Sequence, residues 1–211
     1  MNIQSAKYLI SSPDYVHCPA PDRPEYAFIG RSNVGKSSLI NMLCNQQKLA
    51  KTSGSPGKTQ MINHFEIVSS SEDKELQQWY IVDLPGYGFA KVSQQQRKHW
   101  ESMTRDYLQK RENLINVFVL IDARHSPQAS DLKFVDQLGE WQIPFAIVFT
   151  KADKTTQQIV SKNVKSFLNA LKKNWEFLPP HFVTSAVKRQ GRDKLLTAID
   201  EWNTLFVSQR G

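Results

Sequence analysis

Hydrophobic residues along the chain form two patterns that alternate with each other. Short, nearly continuous apolar runs are separated by longer segments in which apolar residues recur every three or four positions. The short runs are typical of strands buried on both faces, and the wider spacing is typical of amphipathic helices. The predicted strands are 26–30, 61–68, 76–83, 117–121, 145–149 and 182–184. The predicted helices are about 36–46, 94–112, 128–141, 156–173 and 191–206.

Strands that alternate with helices predict a parallel sheet covered by helices on both faces. A short polar turn joins 61–68 to 76–83 as a hairpin, so one strand is expected to run antiparallel to the others. The predicted fold class is therefore α/β, with a mostly parallel six-stranded sheet and ligands beyond the carboxyl ends of its strands. Residues 1–25 are polar and contain four prolines. They are interpreted as an extended leader, with one short strand at 7–10, packed on a single domain of residues 26–211.

A phosphate-binding sequence follows the first predicted core strand. The pattern G-x-x-x-x-G-K-[ST] is matched by Gly30, Arg31, Ser32, Asn33, Val34, Gly35, Lys36, Ser37 and Ser38. The backbone N–H groups of such a loop, and the positive end of the helix dipole after it, surround an anion. Lys36 is expected to reach the β- and γ-phosphates, and the Ser37 hydroxyl is expected to bind Mg²⁺. The alternative is a chance match in a glycine turn, but the flanking strand and helix favour a bound nucleoside polyphosphate.

Two further stretches offer groups for the phosphates and the metal. The first comprises Asp83, Leu84, Pro85 and Gly86 at the end of an apolar strand. The Asp83 carboxylate is expected to hold Mg²⁺ through water, and the Gly86 N–H is expected to bond the γ-phosphate. Thr59 lies in the long polar loop 47–60, and loops of that length are commonly functional. Its hydroxyl is a candidate second Mg²⁺ ligand, which would order the loop only when the γ-phosphate is present.

Two stretches at the ends of later strands fit a guanine base. They are Thr150, Lys151, Ala152 and Asp153, and then Thr184, Ser185 and Ala186. The Asp153 carboxylate can accept hydrogen bonds from N1–H and the 2-amino group of guanine, and adenine has neither donor on that edge. The Lys151 stem can cover the base, and the second stretch can offer a backbone N–H to guanine O6. A Lys-x-Asp sequence alone is usually a surface charge pair, but its position in a P-loop chain favours GTP or GDP.

The charged residues are distributed unevenly along the chain. The formal net charge is +7, and the last 61 residues contain 11 Lys and Arg against 5 Asp and Glu, compared with 16 against 15 before them. A basic face of this kind suggests a polyanion such as RNA, and the alternative is a solvated surface. The candidate RNA contacts are Lys162, Lys165, Lys172, Lys173, Lys188, Arg189, Arg192 and Lys194.

Several other classes of protein are disfavoured. No run of 18 apolar residues exists, so no membrane span is expected. The first residues also lack the pattern of a secretory signal. Cys18 and Cys44 are the two cysteines, and they are interpreted as free thiols in a reducing compartment. The five histidines have no metal-ligand spacing, so a zinc or iron site is not expected.

The order of these motifs resembles the translation-factor class of P-loop GTPases, and finer matches resemble the EngB family of bacterial ribosome-assembly GTPases. The finer matches are residues 30–38, 52–60, 83–88 and 122–127. The resemblance implies a Ras-like three-layer fold with switch I at about 47–60 and switch II at about 83–93, Mg²⁺ as cofactor, and nucleotide contacts from Gly57, Lys58 and Thr59. It also implies GTP hydrolysis in the bacterial cytoplasm, partly on the ribosome, with roles in large-subunit assembly, cell division and septation. Ribosomal RNA is the implied partner of the basic region, and a monomer is the default expectation.

The hydrolysis step departs from the Ras-like pattern. Tyr87 occupies the position after Gly86, where Ras-like enzymes carry a glutamine that orients the attacking water. Slow intrinsic hydrolysis that the ribosome or K⁺ accelerates is therefore expected. Asn33 resembles the asparagine that binds K⁺ in related potassium-activated GTPases, and the alternative is that it only braces the loop. The candidate catalytic residues are Lys36, Asn33, Thr59 and Gly86.

Two other functions are weighed against this interpretation. A small P-loop kinase would need an arginine-rich lid and would not need the guanine-reading Asp153. An RNA-binding protein without significant hydrolysis would not need an intact set of phosphate and Mg²⁺ ligands. The motifs argue against both alternatives without excluding either.

Overall fold

The computed structural model describes residues 1–51, 60–71, 74–88 and 93–210. The strands are β1 (Asn2–Ser12), β2 (Glu25–Gly30), β3 (Ile62–Ser70), β4 (Leu76–Asp83), β5 (Leu114–Asp122), β6 (Phe145–Thr150) and β7 (His181–Val183). The α-helices are α1 (Lys36–Leu43), α2 (Gln94–Lys110), α3 (Ala129–Glu140), α4 (Gln157–Leu171) and α5 (Arg192–Arg210). A short 3₁₀ turn, Ala152–Lys154, connects β6 to α4.

The described strands form a seven-stranded sheet in the order β1-β3-β4-β2-β5-β6-β7. Strand β3 is antiparallel to β1 and β4, and the remaining pairings in this sheet are parallel. The α/β class and the mostly parallel sheet are therefore confirmed, whereas the predicted number of six strands is one too low. The additional strand is β1, which pairs with β3 from Asn2 to Ser12 and buries Ala6. Backbone pairing at a sheet edge does not require apolar alternation, so the sequence predicted only a short strand at 7–10.

Alternate residues of the sheet contribute to two separate hydrophobic cores. Ala27 and Ile29 of β2 share one core with α2, α3 and α4. Tyr26 and Phe28 share the other with α1 and α5. All of β2 is buried, as expected for a central parallel strand covered on both faces. This packing places Gly30 in the middle of the sheet, at the end where the carboxyl ends of the parallel strands meet.

Side-chain caps define the starts of two helices that flank this edge. Ser93 accepts a hydrogen bond from the Gln96 N–H at the start of α2, and Thr156 accepts one from the Ile159 N–H at the start of α4. A cap of this kind contributes about 1 kcal/mol to stability. Across the described ranges, no helix combines the length and the apolar character needed to span a lipid bilayer.

Candidate nucleotide-binding site

The P-loop occupies the turn between β2 and α1. Gly30 ends β2, and a Cβ atom there would lie 2.8 Å from the Leu120 carbonyl oxygen, so a side chain would force the loop away from β5. Asn33 and Gly35 have φ angles of 61° and 102°, both in the left-handed region. Left-handed residues in such a turn point successive backbone N–H groups into a concavity that binds anions. Helix α1 begins at Lys36 with no acidic residue in its first turn, so the positive end of its dipole is not neutralised there.

Strand β4 delivers Asp83 to the P-loop. The Lys36 ammonium group forms an ion pair with the Asp83 carboxylate, and the two side chains are 10% and 6% exposed. The segment after Asp83 stays next to the P-loop, because Tyr87 forms a parallel bridge with Arg31. Gly86 lies between these two anchored points. The structure therefore joins the two predicted phosphate-binding motifs, which the sequence placed on separate strands.

Strand β6 delivers a lysine that crosses the P-loop. The Lys151 Nζ donates hydrogen bonds to the Asn33 carbonyl oxygen at 2.5 Å and to Asp122 Oδ2 at 3.0 Å. A Cβ atom at Gly35 would lie 3.6 Å from Lys151 Cε, so the lysine stem passes close to the loop. Arg124 donates two hydrogen bonds of 2.9 and 2.7 Å to the Asp122 carboxylate. Burial opposes ionisation of Asp122, but the bonds from Arg124 and Lys151 outweigh it and lower the pKa of this carboxyl to about 2.

Asp122 is a site residue that the sequence analysis did not assign. The sequence signal for it was a carboxylate that ends a largely apolar strand, as Asp83 does in β4. The pairing of β5 with β6 places Asp122 opposite Thr150, and this register brings it next to Lys151. The sequence could not give that register, because it does not say which strands are neighbours.

The segments after β6 and β7 are connected by hydrogen bonds. The Ser185 hydroxyl donates to Asp153 Oδ1 at 2.6 Å, and this bond lowers the pKa of the Asp153 carboxyl below its ordinary value. The Ala152 N–H donates to the Thr184 carbonyl oxygen at 3.1 Å. Asp153 is therefore held in one orientation and stays ionised at neutral pH. A carboxylate in that state can accept two hydrogen bonds from the N–H groups of guanine.

A cavity of about 160 Å³ lies where these segments face the P-loop. Its lining includes Gly35 and Ser38 from the P-loop side, Lys151 and Asp153 after β6, and Ala186 after β7. The cavity thus contacts the phosphate-binding loop and both predicted base-recognition stretches. This arrangement fits a ligand that carries a base at one end and phosphates at the other.

The predicted site residues within the described ranges lie at one edge of the sheet. They are found at or just after the carboxyl ends of β2, β4, β6 and β7. The set comprises Gly30, Arg31, Ser32, Asn33, Val34, Gly35, Lys36, Ser37, Ser38, Asp83, Leu84, Pro85, Gly86, Thr150, Lys151, Ala152, Asp153, Thr184, Ser185 and Ala186. The predicted ligands Gly57, Lys58 and Thr59 lie outside the described residues, as do residues 89–92 of the predicted switch II.

Tyr87 packs on helix α3. Its ring stacks on the Phe134 ring with 4.4 Å between centroids and 19° between planes. Burial raises the pKa of the Tyr87 phenol well above its ordinary value, so the phenol is protonated at neutral pH. The residue after Gly86, which carries the water-orienting side chain in Ras-like enzymes, is therefore used here to hold the chain on α3.

The basic residues near the end of the chain have different environments. The Arg192 guanidinium donates to the Met42 and Leu43 carbonyl oxygens at 2.8 to 3.2 Å, so it binds the last turn of α1. Arg192 is for this reason not available as the RNA contact that the sequence predicted. Arg189 donates to Asn45 Oδ1 at 2.7 Å but remains exposed. The other candidates are exposed as well: Lys162, Lys165, Lys172, Lys173, Lys188 and Lys194.

The chain is similar to known GTP-binding proteins. The family model described as "50S ribosome-binding GTPase" matches residues 25–151. The "Probable GTP-binding protein EngB" of Flavobacterium psychrophilum is 52% identical over 212 aligned residues, which cover 100% of both chains. The protein of that name from Bacteroides fragilis is 51% identical over 203 residues, or 96% of this chain and 97% of the relative. The crystal structure of a probable GTP-binding protein EngB has the same fold, with a TM-score of 0.58 and 23% identity over 85% of this chain and 98% of that one.

Proposed function

Because this chain belongs to the EngB family of GTP-binding proteins, we propose that it is a GTP-driven switch in the assembly of the large ribosomal subunit. One observation carries the nucleotide part of the proposal: the P-loop, the Asp83 segment and the Ser185–Asp153 pair converge where the parallel strands end. The ribosomal part is supported by the family model described as a 50S ribosome-binding GTPase. By family resemblance the protein acts as a monomer in the bacterial cytoplasm, where a fraction of it is bound to ribosomes. The same resemblance assigns it a role in cell division and septation.

The P-loop accounts for phosphate binding in this proposal. Lys36 forms an ion pair with Asp83, and both side chains are nearly buried. The β- and γ-phosphates of GTP offer Lys36 a larger negative charge than one carboxylate, so the lysine exchanges Asp83 for the phosphates. That exchange couples nucleotide binding to the position of the β4 end and hence to the segment that carries Gly86.

The oxygen groups around Lys36 fit Mg²⁺, which is a hard cation and is held mainly by carboxylates, hydroxyls, water and substrate phosphates. Ser37 lies in the first turn of α1 and offers its hydroxyl, and the Asp83 carboxylate pairs with the neighbouring Lys36. Within the described ranges there is no cluster of three or more His, Cys, Asp or Glu side chains that could hold a metal, and Mg²⁺ on phosphates requires none. When bound, Mg²⁺ supplies positive charge to the phosphate oxygens. Thr59 is proposed as its second protein ligand.

Base selection is assigned to Asp153, which Ser185 holds at 2.6 Å. GTP and GDP are expected to displace a fluorescent GDP analogue at least about 100-fold more effectively than ATP, because adenine leaves the Asp153 carboxylate without donors. The Asp153→Asn substitution should abolish this preference, and Asp193→Asn, at an exposed residue on α5, serves as its control. Equal competition by ATP against the unmodified protein would instead indicate a kinase-like site.

Hydrolysis is proposed to be slow until a cation or the ribosome assists it. Tyr87 is stacked on Phe134 and so does not orient water in this arrangement. The Asn33 side chain is exposed and forms no hydrogen bond in the described part of the chain. It is thus available to a K⁺ ion that would add positive charge near the phosphates. Turnover should be faster in KCl than in NaCl, and Asn33→Ala should remove the difference; equal rates in the two salts would disprove the role of K⁺.

The ribosome assignment is tested by co-sedimentation with large ribosomal subunits. The protein is incubated with GDP or with a non-hydrolysable GTP analogue, each at low and high salt. We expect binding that requires the GTP analogue and weakens as salt increases, because phosphate contacts release counterions. Binding that is independent of the nucleotide would favour a plain RNA-binding protein, and no binding in any condition would leave only the GTPase.

A further inference from the structure

A groove of about 740 Å³ lies between helix α4 and the connections that flank β7. The apolar part of its lining comprises Ala152, Val160, Val164, Leu168, Leu178 and Val183. The groove contacts the base-recognition segment at Ala152 and Asp153, but the rest of its lining takes no part in the nucleotide site described above. It is a second concave surface, with its own lining, next to the guanine end of that site.

The rim of the groove is positively charged. Lys165, Lys172 and Lys188 line it, and all three are exposed. None of them forms an ion pair with an acidic residue anywhere in the described ranges. Asp153 is the acidic residue in the lining, and its carboxylate already accepts the Ser185 hydroxyl and pairs with Lys154 at 3.7 Å. The groove therefore presents three ammonium groups that have no ion-pair partner in the described ranges to whatever binds there.

An exposed aromatic residue is the chain neighbour of a residue that lines the groove. Phe177 directly precedes Leu178 of the lining, and its side chain is 79% exposed, more than that of the other large apolar residues described. A phenyl ring in water gains nothing for folding, because burial is what makes apolar surface stabilising. The lining also contains the amide side chains of Gln157, Asn169 and Gln190, which can both donate and accept hydrogen bonds.

Lysines beside an exposed aromatic ring and amide groups match the requirements of single-stranded RNA. Phosphates pair with lysines, unpaired bases stack on aromatic rings, and base edges bond to amides. An acidic peptide would also pair with the lysines, but it carries no flat base for the ring and no array of base edges for the three amides. Paired bases in a duplex are already stacked on each other, so a duplex leaves the ring unused.

We propose that this groove binds a single-stranded segment of RNA, with the phosphates on Lys165, Lys172 and Lys188 and a base on Phe177. The inference rests on the proposed function, because that function brings the protein to an RNA-rich particle. It goes further by assigning the contact to one groove and to unpaired RNA. The groove adjoins Asp153, so the RNA lies next to the guanine end of the nucleotide site.

The test measures fluorescence anisotropy with a labelled single-stranded RNA of about 12 nucleotides, a length typical of single-strand sites. The groove variant carries Lys165→Gln, Lys172→Gln and Lys188→Gln. The control variant carries Lys7→Gln, Lys74→Gln and Lys133→Gln, which remove the same charge at exposed positions elsewhere. Glutamine at 188 keeps the backbone N–H that donates to Ser185 Oγ at 3.0 Å, so the affinity for GDP should not change and reports correct folding.

The groove variant should lose at least about 10-fold in RNA affinity, and the slope of log K against log salt should become shallower by about 2, as expected for three fewer phosphate contacts. The control variant should stay within about 3-fold of the unmodified protein. Phe177→Ala should weaken binding by about 10-fold with an unchanged salt slope, and Phe177→Trp should retain it, because stacking is independent of charge.

Three outcomes of the anisotropy test would overturn the inference. They are equal losses in the groove and control variants, no binding of the RNA by the unmodified protein, and displacement of the RNA by a polyglutamate peptide more readily than by a second RNA strand.

Co-sedimentation with large ribosomal subunits distinguishes a failure of the groove assignment from a failure of the proposed function. If the groove variant still binds large subunits with the GTP analogue as well as the unmodified protein does, the groove assignment is wrong and the proposed function stands. If the unmodified protein binds the RNA through the groove but never binds subunits, the proposed function fails and the groove remains an RNA site.

Discussion

Glu25 begins β2 and Asp122 ends the neighbouring parallel strand β5. These two carboxylates therefore lie at opposite ends of the parallel strands, Glu25 at the amino ends and Asp122 at the carboxyl ends. Each accepts two hydrogen bonds from an arginine guanidinium: Arg111 for Glu25, at 2.6 and 2.9 Å, and Arg124 for Asp122, at 2.7 and 2.9 Å. In each case burial opposes ionisation, hydrogen bonds outweigh it, and the pKa falls to about 2. In their arginine partners and in their pKa, the two carboxylates are alike.

The two carboxylates differ in exposure and in their remaining partners. The Glu25 side chain is fully buried, and its other partners are the Tyr107 hydroxyl at 2.8 Å and His64 Nε2 at 3.2 Å, both also buried. The Asp122 side chain is 15% exposed, and its other close partner is Lys151, which also reaches the P-loop. One cluster is closed within the protein, whereas the other is connected to a ligand site.

This comparison shows that a lowered pKa and a paired arginine do not by themselves identify a functional residue. Glu25 connects the starts of β2 and β3 to the end of α2 and fixes how these elements pack. Asp122 fixes a lysine that touches the phosphate-binding loop. The partner that faces the ligand distinguishes the two roles, and each of the following experiments separates stability from nucleotide binding.

The largest effect is expected for Glu25→Ala. The substitution leaves the Arg111 guanidinium, only 6% exposed, as a buried charge without its carboxylate, and such a change costs about 3–5 kcal/mol of unfolding free energy. Urea denaturation measures this cost. Glu66→Ala breaks a more exposed pair with Arg23 at 3.0 Å, and as the control it should cost less than about 1 kcal/mol. Similar losses in the two variants would contradict the closed-cluster description.

The contribution of Glu25 should disappear in acid. Its folded pKa of about 2 lies below its ordinary value of 4.5, so the stabilisation is fully present above pH 4.5 and is lost as the pH falls toward 2. The shift corresponds to about 3 kcal/mol. The unfolding free energies of the unmodified protein and Glu25→Gln should therefore differ most at neutral pH and converge toward pH 2. A difference that is constant between pH 7 and pH 3 would show that the charge of Glu25 is not the stabilising feature.

Asp122→Asn is expected to lower the unfolding free energy less than Glu25→Ala does, but to lower the affinity for nucleotide clearly. The substitution removes the charged acceptor that orients Lys151, and a hydrogen bond to a charged group is worth about 1.5–3 kcal/mol. Affinity for GDP should fall by about 10-fold to 100-fold in titrations with a fluorescent analogue. Asp106→Asn breaks an exposed pair with Lys110 at 3.3 Å and should leave the affinity unchanged. If Asp122→Asn destabilised the fold as Glu25→Ala does and left nucleotide affinity intact, the assigned roles would be wrong.

The smallest effect is expected for His125→Ala. His125 Nε2 lies 4.0 Å from Asp122 Oδ2, and its side chain is 55% exposed, so the pair should contribute less than about 0.5 kcal/mol. Both the unfolding free energy and the affinity for GDP should match those of the unmodified protein. A clear loss of affinity would mean that Arg124 and Lys151 are not sufficient to position Asp122.

Much of this protein was determined by the sequence on its own. The alternation of apolar runs and amphipathic segments sufficed for the α/β class, because strands buried on both faces and helices buried on one face differ in hydrophobic period. The motifs at residues 30–38, 83–86 and 150–153 sufficed to predict which residues contact phosphate and guanine, and the structure places all three motifs at the carboxyl ends of the parallel strands. Hydrophobic period and short motifs are local properties, which depend only on residues that are close together in the sequence.

Only the tertiary structure decided the features that depend on which elements are neighbours. The pairing of β1 with β3 added a strand whose full length the polar N-terminal sequence did not predict. The register between β5 and β6 made Asp122 a partner of Lys151, and the contact of Arg192 with the end of α1 removed a predicted RNA contact. The groove beside α4 combines residues from 152 to 190, and beyond Ala152 and Asp153 its lining belongs to no motif. Each of these contacts joins distant parts of the chain, and their energies depend on distances that folding alone sets.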